Sequence, residues 1–334
     1  MKTIIKVLYL TLIVVVFGQC KKEPASINIQ DNNFLKALID IGVDKNGDGI
    51  ISPGEAAEVT FLDVSGCSLS NLKGIEAFVN LDTLYCNRNS LTYLDLFYNH
   101  ELVYLQCCGN LLTSLDVTNN PELKYLVCCG NSLTSLDVST NPVLNYLNCG
   151  GNSLTILDVS NNPKLTFLDC WDNMLTSLDV SNNPELNNLE CSWNSLTSLD
   201  VSNNPELRYL RCEDNSLTSL DLSNNLALAG LSFQLNLLTS LDISNNPALD
   251  FLYCDGNLLT SLDVSNNPAL TWLRIDMNLL TSLDVSNNTS IEKLTLASMP
   301  SLYKVCVWTM PFPPAGVAVD TTGSPNVYFT MDCN

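Results

Sequence analysis

From Leu81 onward the apolar residues fall on a fixed beat that is not helical. Leucine stands at Leu84 and at every twenty-first residue after it as far as Leu294. Each 21-residue unit holds two phrases in which apolar and polar side chains alternate. The first is "LDTLYCNRNS", with Leu84 and Cys86 two apart; the second is "LTYLDLFYNHE", with Leu94 and Leu96 two apart. On an extended chain, side chains two apart point the same way, so each phrase predicts a short strand with one buried face. Asparagine closes both phrases, at Asn89 and Asn99, and returns every 21 residues to Asn278 and Asn288. Its amide offers donors and an acceptor to backbone groups freed inside a turn. Proline follows the second asparagine at Pro121, Pro142 and Pro163 and opens the next segment.

One unit buries about six apolar side chains, worth ~1.5–3 kcal/mol each. Ordering its residues costs roughly 1–2 kcal/mol apiece. A lone unit therefore stays unfolded, and neighbours must cover it. The two phrases resemble the nested 21-residue class of bacterial leucine-rich repeats and, more loosely, the internalins, over about residues 59–305. The resemblance implies a leucine-rich-repeat solenoid: a parallel β-sheet of about 11 stacked coils with N- and C-terminal caps. At about 4.8 Å per coil the stack would be on the order of 50 Å long. The expected divisions are a signal peptide at 1–19, an N-terminal cap at 20–58, repeats at 59–299 and a C-terminal cap at 300–334.

Ahead of the repeats, Lys2 and Lys6 precede the apolar run "VLYLTLIVVVF", and "GQC" follows. This is the order of an export signal, with a run too short for an ordinary membrane span. It resembles a bacterial lipoprotein signal, which implies that Cys20 becomes the lipidated first residue and that acyl chains hold the protein to a membrane. Gln19 departs from the small residue usual before that cysteine, and plain secretion is the alternative. Next, "QDNNFLKALIDIG" predicts a short helix capped by Asp31, with Phe34, Leu38 and Ile41 on one face. "DKNGDGIISPGE", residues 44–55, then matches the twelve-residue EF-hand loop and implies Ca2+. Asp44, Asn46 and Asp48 take the first ligand positions, and Gly49 permits the sharp turn. Ile50 would bind through its carbonyl, Ser52 directly or through water, and Glu55 with both oxygens. The loop also resembles one loop of a dockerin, but it stands alone, so its expected role is to fix the N-terminal cap. A solvated turn without an ion is the alternative.

With 35 acidic residues against 15 basic ones, the chain carries a formal charge of −20. Nucleic acid is thereby disfavoured as a partner, because phosphates need Lys and Arg. The 14 cysteines read mostly as core. Cys86, Cys107, Cys128, Cys149, Cys170, Cys191, Cys212 and Cys254 share one inward slot, which Phe233 and Ile275 also fill, so the slot is simply apolar. Cys108 and Cys129 point outward from adjacent coils, and their pairing is left open. Cys306 and Cys333 bracket the C-terminal segment, and in an exported chain a disulfide between them is expected.

The two outward faces differ. The second phrase shows little but Ser, Asp and Asn, with aspartate at every unit from Asp95 to Asp284. Those carboxylates read as a hydrated ladder bonded to nearby hydroxyls, or as weak cation sites. The first phrase varies. It sets out Tyr104, Tyr125, Tyr146, Phe167, Tyr209, Phe251 and Trp272 in one column. Asp169, Glu190 and Arg211 follow two residues after that column, with Trp171 and Trp193 beside them. Exposed aromatics among polar groups suit recognition of a protein or a glycan. An aromatic ladder that only stabilises the sheet is the competing reading. His100 is the single histidine, and it lies in a turn, so Ser–His–Asp or Cys–His chemistry lacks a base with a known partner. No metalloprotease, phosphate-loop or dinucleotide motif is present. The expectation is a non-enzymatic, monomeric lipoprotein of the outer membrane, facing outward, that binds a protein or glycan ligand. The alternative is a structural spacer of the envelope.

Overall fold

Three-residue strands form where the first phrase places a leucine between two outward side chains. The second phrase, expected to do the same, forms a strand only at Ser282–Asp284 and elsewhere makes one isolated bridge, Asp116 to Asp137, its aspartates bonding within their own turns instead. The computed structural model describes residues 26–333. Its long sheet has 13 strands, all parallel, in an order that follows the chain. It starts at Phe61–Asp63 and Thr83–Tyr85 and proceeds through Tyr104–Gln106, Tyr125–Val127, Tyr146–Asn148, Phe167–Asp169 and Asn188–Glu190. Tyr209–Arg211, Gly230–Ser232, Phe251–Tyr253, Trp272–Arg274, Lys293–Thr295 and Ala318–Asp320 complete it. The count exceeds the expected 11 because the terminal strands lie off the beat. Phe61 pairs with Thr83 and Lys293 with Ala318, steps longer than 21 residues that a strict period does not register. A second sheet of three strands, Ser282–Asp284, Lys304–Cys306 and Tyr328–Thr330, forms from the other phrase. Residues 300–333 thus extend both faces of the stack.

The middle residue of each strand, from Leu62 to Leu294, is buried. The eight inward thiols, Cys86 to Cys254, are fully buried with them, and Phe233 and Ile275 fill the same slot. Burial pushes the Cys86 thiol up to about 12 and its neighbours up as well, so the row stays protonated and apolar.

Polar ladders join coil to coil. Asn110 donates through Nδ2 to the carbonyl of Cys107 in its own turn and of Cys86 in the preceding coil, 3.0 Å each, and its Oδ1 accepts from Leu91 N–H. Asn183, in the other ladder, donates to the carbonyls of Val159 and Asn162 at 3.0 and 2.9 Å. Both patterns repeat along the array, so each buried amide replaces water for backbone groups that the coil's tight bends leave free.

At the N-terminus, helix α1 (Asn32–Asp40) is capped by Asp31, which accepts from the N–H groups of Asn33 and Phe34. Phe34 and Leu38 are buried as expected, but Ile41 is exposed: the helix ends at Asp40, where Gly42 at φ +80° turns the chain away. The second oxygen of Asp31 accepts from Ser70 N–H and hydroxyl, 2.7 Å each, and from Asn71 N–H at 3.3 Å. One carboxylate therefore ties the cap helix to the first coil. Burial opposes its charge, but the bonds from Ser70, Asn33 and Phe34 outweigh burial and hold the carboxyl below its ordinary range.

Candidate binding face

Each strand of the long sheet presents two outward side chains, and two more follow the inward slot. Four columns result, running across the coils. In the first, Tyr104, Tyr125, Tyr146 and Phe167 stack ring on ring, with centroids 5.2, 4.8 and 4.1 Å apart. The rings of Tyr125, Tyr146 and Phe167 cover one another, while Tyr104, tilted at the end of the column, stays exposed. Tyr209 and Phe251 form a second pair, 6.2 Å apart, across the strand of Gly230. A Cβ on Gly230 would fall inside the Phe251 ring, so glycine there is what lets the two rings meet. Trp272 packs near Tyr253, with Lys293 over its ring.

The remaining columns build a cavity of about 540 Å3 on the middle coils. Asp169, Glu190 and Arg211, from the column two residues past the aromatics, form part of its wall. Trp171, Ser192, Glu213, Gln234 and Asp255 come from the column just past the inward slot. Trp171 lies across Gly150, where a Cβ would fall inside the indole. The rim is Trp193, Asp214, Leu235 and Met277. These rim residues, with Asp172, hold φ between +50° and +57°, in the column where Gly109, Gly130, Gly151 and Gly256 stand elsewhere. A left-handed backbone costs a residue with a Cβ roughly 1–2 kcal/mol.

Charge in the cavity is unbalanced: five carboxylates against one guanidinium form its lining. Asp169 and Glu190 lie side by side on paired strands. Burial pushes Asp169 up to about 6. Burial, then the nearby charges of Glu213 and Asp169, pushes Glu190 up to about 7 against the bonds from Ser192. Arg211 stands 3.9 Å from Glu190, and Asn148 donates to Asp169 at 2.9 Å. Ser192 donates its hydroxyl to Glu213. Asp255 is only 5% exposed. Its Oδ2 accepts from Gln234 and, at 2.8 Å, from Arg274, while its Oδ1 has no hydrogen-bond partner among the described residues.

Of the twelve side chains expected to bind ligand, Asp169, Trp171, Glu190, Trp193 and Arg211 meet in this cavity. Tyr104, Tyr125, Tyr146, Phe167, Tyr209, Phe251 and Trp272 do not line it. Sequence reasoning missed Ser192, Gln234, Leu235 and Met277. For Leu235 and Met277 the signal was the loss of glycine from a turn column; Ser192 and Gln234 stand in the neighbouring column, with Trp171 and Glu213. It also missed Tyr93, Phe97 and Tyr98, exposed aromatics on the opposite face where later coils carry Ser, Thr and Asn.

On that opposite face each aspartate bonds within its own turn. Asp179 accepts from Ser181 N–H at 2.9 Å, and Asp200 from Ser202 likewise. Hydrogen bonds from these serines hold both carboxyls below the ordinary range.

In the loop at 44–55, Asp44 accepts from the N–H groups of Gly47 and Gly49, and Asp48 from that of Ile50. Glu55 accepts from Lys45, Ser52 N–H and the Ser52 hydroxyl, and closes a capping box on helix α2 (Pro53–Ala57). The donor set fits Ca2+: three carboxylates, the Asn46 amide oxygen, the Ser52 hydroxyl and the Ile50 carbonyl on one loop. The three carboxylates do not gather within 4.8 Å. Among the described residues only Asp284, Cys306 and Cys333 bring such atoms that close, and those two sulfurs are bonded to each other. Cys108 and Cys129 are also disulfide-bonded. His100 is exposed and meets the carbonyl of Asn119 at 3.1 Å. Cys20 lies outside the described residues.

No protein-family model matches the chain, and no curated protein matches it. Solved structures do. The functional domain of InlJ from Listeria monocytogenes, which includes a cysteine ladder, is 35% identical over 90% of this chain and 70% of its own, with a TM-score of 0.80. The internalin InlF from Listeria monocytogenes is 18% identical over 94% of this chain and 99% of its own, TM-score 0.67. YopM, a leucine-rich effector protein from Yersinia pestis, is 23% identical over 88% and 81%, TM-score 0.63. The last two likenesses concern the fold alone.

Proposed function

This chain belongs to the internalin-like leucine-rich-repeat family, and from that premise we propose that it is a non-enzymatic binding protein of the bacterial cell envelope. It recognises a protein or glycan through the varied face of its long sheet. The observation that carries this reading is where variation is confined. The Ser/Asp face repeats almost unchanged, whereas the middle coils of the other face carry Trp171, Trp193 and five carboxylates around one cavity. Rim side chains kept at a left-handed backbone, where glycine serves elsewhere, support a selected surface. The test is binding of the purified protein, in calcium, to arrays of glycans and of host and matrix proteins. A Trp171→Ala/Trp193→Ala chain runs beside it. Partners lost in the variant are expected; partners that the variant keeps would count against the face.

The spacer reading draws on the stacked Tyr104–Phe167 column, whose faces serve the sheet itself. It gains ground if no array partner is found. Attachment through a lipid on Cys20 and an outward orientation belong to the same proposal. So does Ca2+ at Asp44, Asn46, Asp48, Ile50, Ser52 and Glu55, where the ion would brace the cap that α1 and α2 build. A ion bound only by the folded protein stabilises it. The melting temperature is therefore expected to fall in chelator, and Asp44→Ala should abolish that difference. Equal melting of the unmodified chain with and without calcium would sink the calcium proposal.

A further inference from the structure

Five carboxylates, two indoles and one guanidinium meet around the cavity on the middle coils. A metal ion does not suit them. Divalent cations want several oxygens converging on one point, and no three carboxylates here approach within 4.8 Å. The acids are instead spread along coils from Asp169 to Asp255, with Trp171 and Trp193 standing beside them, 40% and 58% exposed. Such a wall fits a long organic cation, whose head takes hydrogen bonds from carboxylates while its stem and charge lie against indole.

Two observations point to an occupant. Asp255 is almost wholly buried in the wall, yet one of its oxygens has no donor among the described residues. Arg274 and Gln234 both bond the other oxygen, so this carboxylate is half satisfied. A buried acceptor without a donor costs free energy. Glu190 and Asp169 also lie in surroundings that disfavour their charged forms, with Arg211 the only cation of the lining. A neutral ligand would leave that charge uncompensated.

We propose that this cavity receives a lysine or arginine side chain of a partner protein. The proposal rests on the reading of the long-sheet face as a recognition surface and names the chemistry of the partner. The Asp255, Glu190 and Glu213 carboxylates hold the cationic head, and Trp171 and Trp193 flank its stem.

The test is calorimetric titration of the purified protein at pH 8 and low salt. The probes are blocked pentapeptides, Gly-Gly-Arg-Gly-Gly and its lysine and norleucine counterparts, and a neutral N-acetylglucosamine hexasaccharide. The basic peptides should bind at least about tenfold more tightly than the norleucine peptide, the factor that one charge-assisted hydrogen bond supplies. High salt should weaken them. Glu213→Gln, which removes a charge and keeps an acceptor for the Ser192 hydroxyl, and Trp193→Ala, at the exposed rim, should each weaken the arginine peptide several-fold while melting stays unchanged. Equal binding of the norleucine peptide, tighter binding of the hexasaccharide, or indifference to both substitutions overturns the proposal. If basic peptides fail while array partners still require Trp171 and Trp193, this proposal falls and the recognition face stands.

Discussion

Glu190 shows what one residue contributes to the balance of the face. Burial, which disfavours its charge, pushes its carboxyl in the folded chain up to about 7 from an ordinary 4.5. Between those values the folded chain keeps a proton that the unfolded chain has released, so stability falls as pH rises through that window. Glu190→Gln should therefore change little at pH 4 and should stabilise the protein at pH 8 by about 1–2 kcal/mol, after allowance for partial exposure. Denaturation of both chains at the two pH values checks this; a gain at pH 4 equal to that at pH 8 would refute it. Gly230 carries the opposite lesson. The sequence shows a lone glycine in an otherwise bulky column, but its purpose depends on the ring of Phe251 lying over it. Gly230→Ala is expected to cost about 1–3 kcal/mol, as overpacking does, in a denaturant titration, and Gly54→Ala, where a Cβ would meet only Ser52 Oγ at 3.9 Å, should cost less.

The coil is the element that the sequence specified best. Leu84 to Leu294 and the two asparagine series set strand, slot and turn, because every coil must satisfy the same neighbours above and below. That constraint is local and repeated, so a period exposes it. The strands at Phe61–Asp63 and Ala318–Asp320 each meet a neighbour at a different step, and no period could reveal them. Likewise, the cavity needs side chains from successive coils to face one another, which depends on rotamers and not on spacing. Within the coil, Asn183 gives both amide donors to buried carbonyls. Asn183→Ala should cost about 2–4 kcal/mol by stranding them. Cys191→Ala removes only a small apolar side chain and should cost less, about 1 kcal/mol for its lost burial. Thermal melts of the two variants settle the comparison, and equal costs would mean that the asparagine ladder is dispensable.

At the scale of the whole molecule, the stack is a rod whose stability passes from neighbour to neighbour, so its ends matter. Asp31 joins α1 to the first coil through bonds to Ser70 and Asn71. Asp31→Ala should speed amide hydrogen exchange around residues 27–60 and leave the middle coils protected; uniform exchange along the chain would deny the clamp. The division of labour between faces is the central claim. One face repeats to build the rod, and the other varies, which we propose serves recognition of a partner. The most direct measurement compares the affinity of an array partner for three chains: the unmodified protein, Trp171→Ala/Trp193→Ala on the varied face, and Asp179→Asn/Asp200→Asn on the uniform one. The account predicts that the first pair abolishes binding and the second leaves it within about twofold, less than 0.5 kcal/mol. Binding that survives loss of the tryptophans and fails with the aspartates would contradict it.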